Sequence, residues 1–526
     1  MSELTTTEPR LEWQDIVLSF VSPTKRTGRA RDRLAAYLLP FILVMQAALT
    51  WRLSDIVNVD EALYIHGGHV VIEHLLHGGT VNAGELSSFG KYFSGAPNLY
   101  PVVAAALDSV GGLGMVRLFS LLCMLIANVC VYRIGRHLFS ENVGLLASLI
   151  FALTASVQFV GKLGTYDAPC LMLIALATAA GITKRSMVSA SIVGTLLAVA
   201  AATKYAALAL VPFVLLMTFL VSLTGDGRLW RRKVSSAVLR GGIATLVFAV
   251  LLLVGYHLWG SGIAVGVKFT TTSRKALNPA PLPVLLKSLL FDIGLTWALA
   301  ASGILLLLRQ RVWDKALLLI VMLGGGSVIQ VSSVRIHEFI SLDKHTFFSG
   351  FFCAVPAALA LDRALSKRGR MILAVMAVIW LLLIDGMWRS KIQYSWPSSI
   401  MTPIKEIKAL DIPGQYFSFD SDAGAYYTTA DPQIEWYPSA SAYALFSGGD
   451  GQVIAMERSH KFTGFLLQTN DLSAQNLAEL HVLYRCLAAD PYYYQTSTVR
   501  VNSYGSAVWK VWIHYYPPGH HRKSES

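Results

Sequence analysis

The chain has 526 residues, 54% of them hydrophobic and only 14% charged, with a mean hydropathy of +0.51. That balance excludes an ordinary soluble protein, because apolar runs of roughly 20 residues recur along the first three quarters of the chain. The formal charge of +12 comes from basic residues lying between apolar runs. It therefore reads as the positive-inside pattern and not as a nucleic-acid surface.

In chain order, residues 1–33 form a polar tail with Lys25, Arg26, Arg29, Arg31 and Arg33. The next run, 34–51, is longer than a signal-peptide core and ends in Trp51-Arg52, so it is expected to remain as a first membrane helix. Spans are expected at 34–52, 115–134, 142–161, 165–182, 187–203, 205–223, 236–258, 285–308, 315–333, 346–363 and 371–388. Each must be helical, because lipid offers no partner to an open backbone. Arg133/Arg136, Lys184/Arg185, Arg228–Lys233, Arg309/Arg311/Lys315 and Arg363–Arg370 share a side with the basic tail, which assigns that side to the cytoplasm. The segments 53–114, 162–166, 203–205, 259–284, 334–345 and everything after 389 then face the other way.

Loop 53–114 is too long for a plain connector, and its segments 61–77 and 99–110 read as helices lying in the interface. Loop 259–284, with Lys268, Arg274 and Lys275, reads as a gate over a cleft or as an anionic-lipid contact. From about 390, aromatic and polar residues alternate, as in "QYFSFD" and "SAVWKVWIHYY", with turn residues between them. The expected fold class is an α-helical polytopic membrane protein of about eleven transmembrane helices with an extracytoplasmic α/β domain at 390–526. Cys123, Cys130, Cys170 and Cys353 sit in apolar runs and Cys486 stands alone. They form neither a ligand spacing nor a disulfide framework.

The unusual polar residues gather in the outer loops. Asp60 and Glu61 are adjacent, so they point in different directions and need separate roles. One could act as a general base while the other orients a substrate or a cation; the bland alternative is a solvated interfacial pair. In "GKLGTYDAP", Lys162, Tyr166 and Asp167 flank a tight hairpin. Asp167 reads as a helix cap, as a group facing the same cavity as Asp60, or as both. Lys204 in "ATKYAA" lies between two short apolar runs, where it either meets an anion or snorkels to water. Arg335, His337, Glu338, Asp343, Lys344 and His345 crowd one loop, and such cationic density suits a phosphate leaving group. His66, His69 and Glu73 fall on one helix face, a weak pattern for a divalent metal beside the plainer reading of an amphipathic helix.

These features in this order resemble the GT-C glycosyltransferases that use polyprenyl-phosphate sugars, and most of all the protein O-mannosyltransferase and aminoarabinose transferase (ArnT-like) group. The resemblance rests on "VDEALY", "LYPVVAAAL", "RLFSLLCML", "YRIGRHLF", "TYDAP" and "TKYAAL". It covers about residues 34–220 and continues only as topology, with "LDKHTFF" before a late span. It implies Asp60 as catalytic base, with Glu61 and Asp167 completing the catalytic acids. Lys204, Arg335, Lys344 and His345 would meet the donor phosphate, and Tyr64, Lys162, Tyr166, His337 and Glu338 the substrates. The implied partners are a polyprenyl-phosphate-linked sugar, an envelope glycan, lipid or protein acceptor, and the bilayer of the cell membrane. Inversion at the anomeric carbon is implied, with no cofactor and no required metal. "NLYP" stands where many members carry a Pro-Pro pair, and Cys170 follows "YDAP"; both departures weaken any transfer of substrate identity. The competing readings are a transporter or flippase, whose buried acids and lysine would couple protons, and a non-catalytic envelope scaffold.

Overall fold

Helices fall on the expected spans, and a small mixed sheet closes the chain. The computed structural model describes residues 29–50, 57–78, 93–224 except 97, 230–365 except 260–263, 265, 269, 271–278 and 340, 372–387 except 373, 374 and 385, 400–438 except 420, 449–501 except 470–473, and 507–514. The tail up to 28, Arg274 and Lys275 of the 259–284 loop, and the expected boundary at 389/390 lie outside the described residues.

The membrane part runs as α1 (Arg29–Thr50), α2 (Val59–His77), α3 (Tyr100–Leu138), α4 (Glu141–Leu153), α5 (Ala155–Lys162), α6 (Asp167–Thr183), α7 (Met187–Thr203), a 3-10 turn (Tyr205–Ala209), α8 (Val211–Leu223) and α9 (Trp230–Trp259). It continues with α10 (Leu282–Asp292), α11 (Gly294–Arg309), α12 (Trp313–Arg335) and α13 (Leu342–Leu365), then α14 (Val375–Ile384). The expected interfacial segment 99–110 and the span 115–134 are one long helix, α3, kinked at Gly111 and Gly112. Gly112 has φ 63°, a left-handed conformation that glycine adopts without penalty.

Two expected spans are bent pairs: α4 with α5 at 63°, and α10 with α11 at 69°. Four helices are long and apolar enough to cross a bilayer alone, and the bent pairs bring the number to six. Helices α6 and α7, at 17 residues each, rise only about 25 Å. The expected count of eleven therefore depends on short helices that length alone does not qualify. Helix α9 exposes Leu246, Leu253 and Val254, as a lipid-facing helix does.

A buried guanidinium fastens α9 to the bundle. Arg240 Nη2 donates to the Gly181 and Lys184 carbonyls at 2.9 and 2.6 Å, and Nη1 to the Ser222 hydroxyl. It thereby satisfies carbonyls at the C-terminal end of α6 that no further helical turn would reach.

The C-terminal part runs as α15 (Met401–Leu410), β1 (Gly414–Phe417), α16 (Ser421–Tyr427), β2 (Ile434–Trp436), α17 (Asp450–Arg458), β3 (Gly464–Gln468), α18 (Ala474–Ala489), β4 (Tyr493–Val501) and β5 (Ala507–His514). The strand order is β2-β1-β3-β5-β4. Strand β1 is parallel to β2 and β3, while β5 is antiparallel to both β3 and β4. Alternation splits the strands between two cores. Tyr416, Leu466, Val511 and Ile513 pack with Ile404 and Ile407 of α15; Phe417, Phe465, Leu467 and Trp512 pack with Val453 of α17 and Leu483 of α18.

The first of these cores also takes in Val57 and Ala62, at the start of α2. Hydrogen bonds reinforce the joint. The Val57 N–H donates to Tyr427 Oη at 3.0 Å. Tyr426 Oη donates to Asp108 at 2.9 Å, and His69 donates to the other oxygen of Asp108 at 2.9 Å. The sheet thus holds the helix on which Asp60 and Glu61 begin.

Replacing Arg240 by Met should lower stability by roughly 2–3 kcal/mol, the worth of its charge-assisted bonds. Thermal melting of the purified protein in detergent reads this directly; a variant that melts with the parent would remove the fastening role.

Candidate active site

The site starts from a local signal. Asn58 caps α2: its side chain accepts from the Asp60 N–H at 3.0 Å, while the Glu61 carboxylate accepts from the Asn58 N–H at 2.8 Å. This is a capping box, which sets both the helix start and the rotation of the two acids. Glu61 is then consumed. Its side chain is 0% exposed, and it accepts from Arg117 Nε at 2.9 Å, from Arg117 Nη2 at 2.7 Å and from the Gly164 N–H at 2.6 Å. A fork of this kind fixes a carboxylate in direction as well as in place. The geometry gives Glu61 the role of joining α2, α3 and the hairpin before α6.

Asp60 differs from its neighbour. Its side chain is 49% exposed and meets Lys344 Nζ at 3.3 Å. Lys344 also pairs with Asp167 Oδ2 at 2.8 Å. Asp167 is fully buried, accepts from the Thr165 hydroxyl at 3.0 Å, and is bonded through its other oxygen to Lys204 Nζ. Lys204 in turn stands 3.0 Å from His345 Nε2. The result is a chain of side chains, Asp60–Lys344–Asp167–Lys204–His345, drawn from α2, α6, the α7 end and α13. Acids and lysines alternate along it, so burial leaves little uncompensated charge.

The break at Lys204 is held open by the first loop. Lys204 is extended (φ −148°, ψ 117°). The Ala96 N–H donates to Ala202 O at 2.7 Å, and the Tyr205 N–H to Ser94 O at 2.7 Å. Gly95 lies so close to this segment that a β-carbon there would overlap the Thr203 carbonyl. Beneath the charges sits an aromatic floor of Tyr64, Phe93, Tyr100 and Tyr166. The Tyr64 and Tyr166 rings are 4.8 Å apart, and Tyr166 also faces Lys204 Nζ at 4.9 Å. Burial first, and then the charge of Asp60, push the Tyr64 phenol well above its ordinary value, so it remains a donor.

The structure therefore brings together Asp60, Glu61, Tyr64, Tyr166, Asp167, Lys204, Lys344 and His345. Lys162 is buried at the end of α5, and Glu338 is buried beside Pro279. Arg335 and His337 lie exposed at the end of α12, with the His337 ring against the Ala280 carbonyl at 3.0 Å. Among the described residues neither hydrogen-bonds to the Asp60–His345 chain. The histidine face on α2 does not converge: His69 turns to Asp108 and Glu73 to His77. Among the described residues no three His, Cys, Asp or Glu side chains come close enough to hold a metal. Sequence reasoning missed Arg117, although an arginine opening a span in "RLFSLLCML" is itself a signal. It also missed Phe93, Ser94 and Gly95, which carry no motif.

Replacing Arg117 by Met would leave Glu61 buried without its cation, at a cost of about 3–5 kcal/mol. Arg117→Lys should recover only part of that, since one ammonium cannot reproduce a fork. Melting of the three proteins side by side checks the order; equal midpoints would contradict it.

Residues 104–254 match the family of dolichyl-phosphate-mannose-protein mannosyltransferases. No curated protein matches the sequence. Among solved structures, ArnT from Cupriavidus metallidurans bound to undecaprenyl phosphate is similar at a TM-score of 0.55 and 14% identity, covering 95% of this chain and 98% of that one. The oligosaccharyltransferase AglB from Archaeoglobus fulgidus, in complex with an inhibitory peptide and a dolichol-phosphate, is similar at 0.54 and 11%, covering 92% and 74%. The arabinofuranosyltransferase AftD from Mycobacteria is similar at 0.52 and 12%, covering 94% and 42%. The chain is a polytopic membrane protein with the fold of the GT-C glycosyltransferases.

Proposed function

We propose that the chain is an integral-membrane glycosyltransferase that moves a sugar from a polyprenyl-phosphate donor to an acceptor hydroxyl of an envelope glycan, lipid or protein. The observation that carries this reading is the Asp60–Lys344–Asp167–Lys204–His345 chain, with a half-exposed carboxylate at one end and two lysines behind it.

In this mechanism the acceptor oxygen attacks the anomeric carbon from the face opposite the phosphate. The C1–O bond to phosphate breaks, and its electron pair leaves with the polyprenyl phosphate. The acceptor proton passes to Asp60, the acid that solvent and acceptor can reach. Lys344 and Lys204 meet the charge that grows on the leaving phosphate. Asp167 positions those lysines, and His345 holds Lys204 from the other side. One displacement of this kind inverts the anomeric centre. Neutral pairing before the donor binds spares the site from burying two bare ammonium groups.

Topology fits the same reading. The α/β domain packs on α2, so it lies on the same side of the membrane as Asp60. In this reading the basic residues between the spans mark the cytoplasmic side, and the site faces outward from the cell membrane.

Asp60→Asn should lower transfer from a polyprenyl-phosphate sugar in vitro by about 10²–10⁴-fold, with donor binding and melting retained. Transfer at the parental rate would sink the assignment of Asp60 as base.

A further inference from the structure

The C-terminal domain holds a cluster of ionisable side chains that the transfer centre does not use. It forms where the last turn of α17 meets the end of α18 and the sheet. Asp490 follows α18, and its side chain is only 10% exposed. It accepts from the Tyr492 N–H at 2.8 Å and from His460 Nε2 at 2.7 Å. Glu457, in the last turn of α17, is 2% exposed, and its carboxyl is hydrogen-bonded to that of Asp490. Two ionised carboxylates have no donor between them, so the contact exists only while one of them keeps a proton.

The partners decide which acid keeps it. Asp490 receives two N–H groups, whereas no backbone or side-chain donor among the described residues reaches Glu457 Oε1. The proton therefore sits on Glu457, which donates to Asp490. Burial, and then the hydrogen bond and charge of Asp490, push the Glu457 carboxyl up to about 7. Burial acts on Asp490 too, but the Tyr492 N–H, His460 and Glu457 outweigh it and hold that acid below its ordinary value. Environments that drive two neighbouring acids apart in this way fix the place of a shared proton.

The surrounding groups do not replace that proton. Arg458 and Arg485 are exposed. Burial, and then the charge of Glu457, raise the Cys486 thiol of α18, so it stays neutral. Burial, and then the charge of His460, hold His514 of β5 below its ordinary value. The Tyr492 and Tyr493 rings of β4 pack on His460 at 4.7 and 6.0 Å. His460 itself takes φ 50°, a left-handed conformation that is unfavourable for a residue with a side chain. Its bond to Asp490 holds it there.

We propose that Glu457, Asp490 and His460 form a proton-operated latch that ties the last turn of α17 to the end of α18. With its proton, Glu457 closes the latch. Without it, two buried carboxylates face each other and the turn opens to solvent. On the outward side proposed above, the latch meets the pH of the medium; that placement rests on the transferase reading, whereas the latch does not.

Opening returns Glu457 to an ordinary carboxylate. The proton's contribution is thus complete below the ordinary carboxylate range, shrinks as the pH climbs towards about 7, and is gone above it. His514 acts in the opposite direction, its contribution being lost as the pH falls, so the comparison needs a variant that keeps His514.

Hydrogen exchange of residues 452–463 in the full chain in nanodiscs, corrected for intrinsic rates, reads the latch. Between about pH 5 and about pH 7, protection in the parent relative to Glu457→Gln should fall by up to about tenfold per pH unit, then level off. An infrared difference spectrum, parent minus Glu457→Gln, should show a protonated-carboxyl band that fades as the pH rises through about 7. Asp490→Asn removes the second charge, so the band should there fade nearer the ordinary carboxylate range. Equal pH dependence of the parent and Glu457→Gln, or no protonated-carboxyl band at about pH 6, would overturn the latch. Where Glu457→Gln does not fold, the parent spectrum against Asp490→Asn decides, and a band that fades at the same pH in both overturns the shared proton.

Discussion

The carboxylate of Glu61 is the junction on which the site depends. It is fully buried and receives hydrogen bonds from Asn58, Gly164 and both forks of Arg117. Three stretches that lie far apart in the chain meet on its two oxygens. An unpaired carboxylate at this depth would be prohibitive, so the three elements cannot drift apart without a large penalty. The direction of the Asp60 Cα–Cβ bond follows, since the helix backbone beside a fixed neighbour is itself fixed.

The charges around Asp167 follow a second constraint. Each lysine lies between two partners, and the buried carboxylate lies between two lysines. Such an arrangement keeps cationic groups inside a membrane protein by letting every one of them be shared. The aromatic floor excludes water from one side, and low local polarity strengthens each remaining contact.

Much of this was legible in the sequence because it was local or because membranes impose long apolar runs. The spans were readable from hydropathy and the helix of α2 was expected over 61–77, whereas the Asn58 capping box that starts it at Val59 was not read. Asp60, Asp167 and Lys204 stood out because charge beside apolar runs is costly. The role of Glu61 was not legible, because its partner Arg117 is 56 residues away and nothing in either segment names the other. The kinks were hidden too: Thr154, where α4 meets α5, is an unremarkable residue, and the break appears only in packing. The shared core joins the start of α2 to strands more than 300 residues later, a distance over which pattern carries no information.

The shared core of α2 and the sheet sets an order of events. Val57 and Ala62 pack in one cluster with Val511 and Ile513, about 450 residues away in synthesis. At 5–20 residues per second, that separation is about 20–90 seconds of translation. During that interval the helix bearing Asp60 lacks the surface it folds against. Assembly of the centre is therefore among the last steps of making the chain, and a truncated product would be left with an exposed apolar helix face where its site should form.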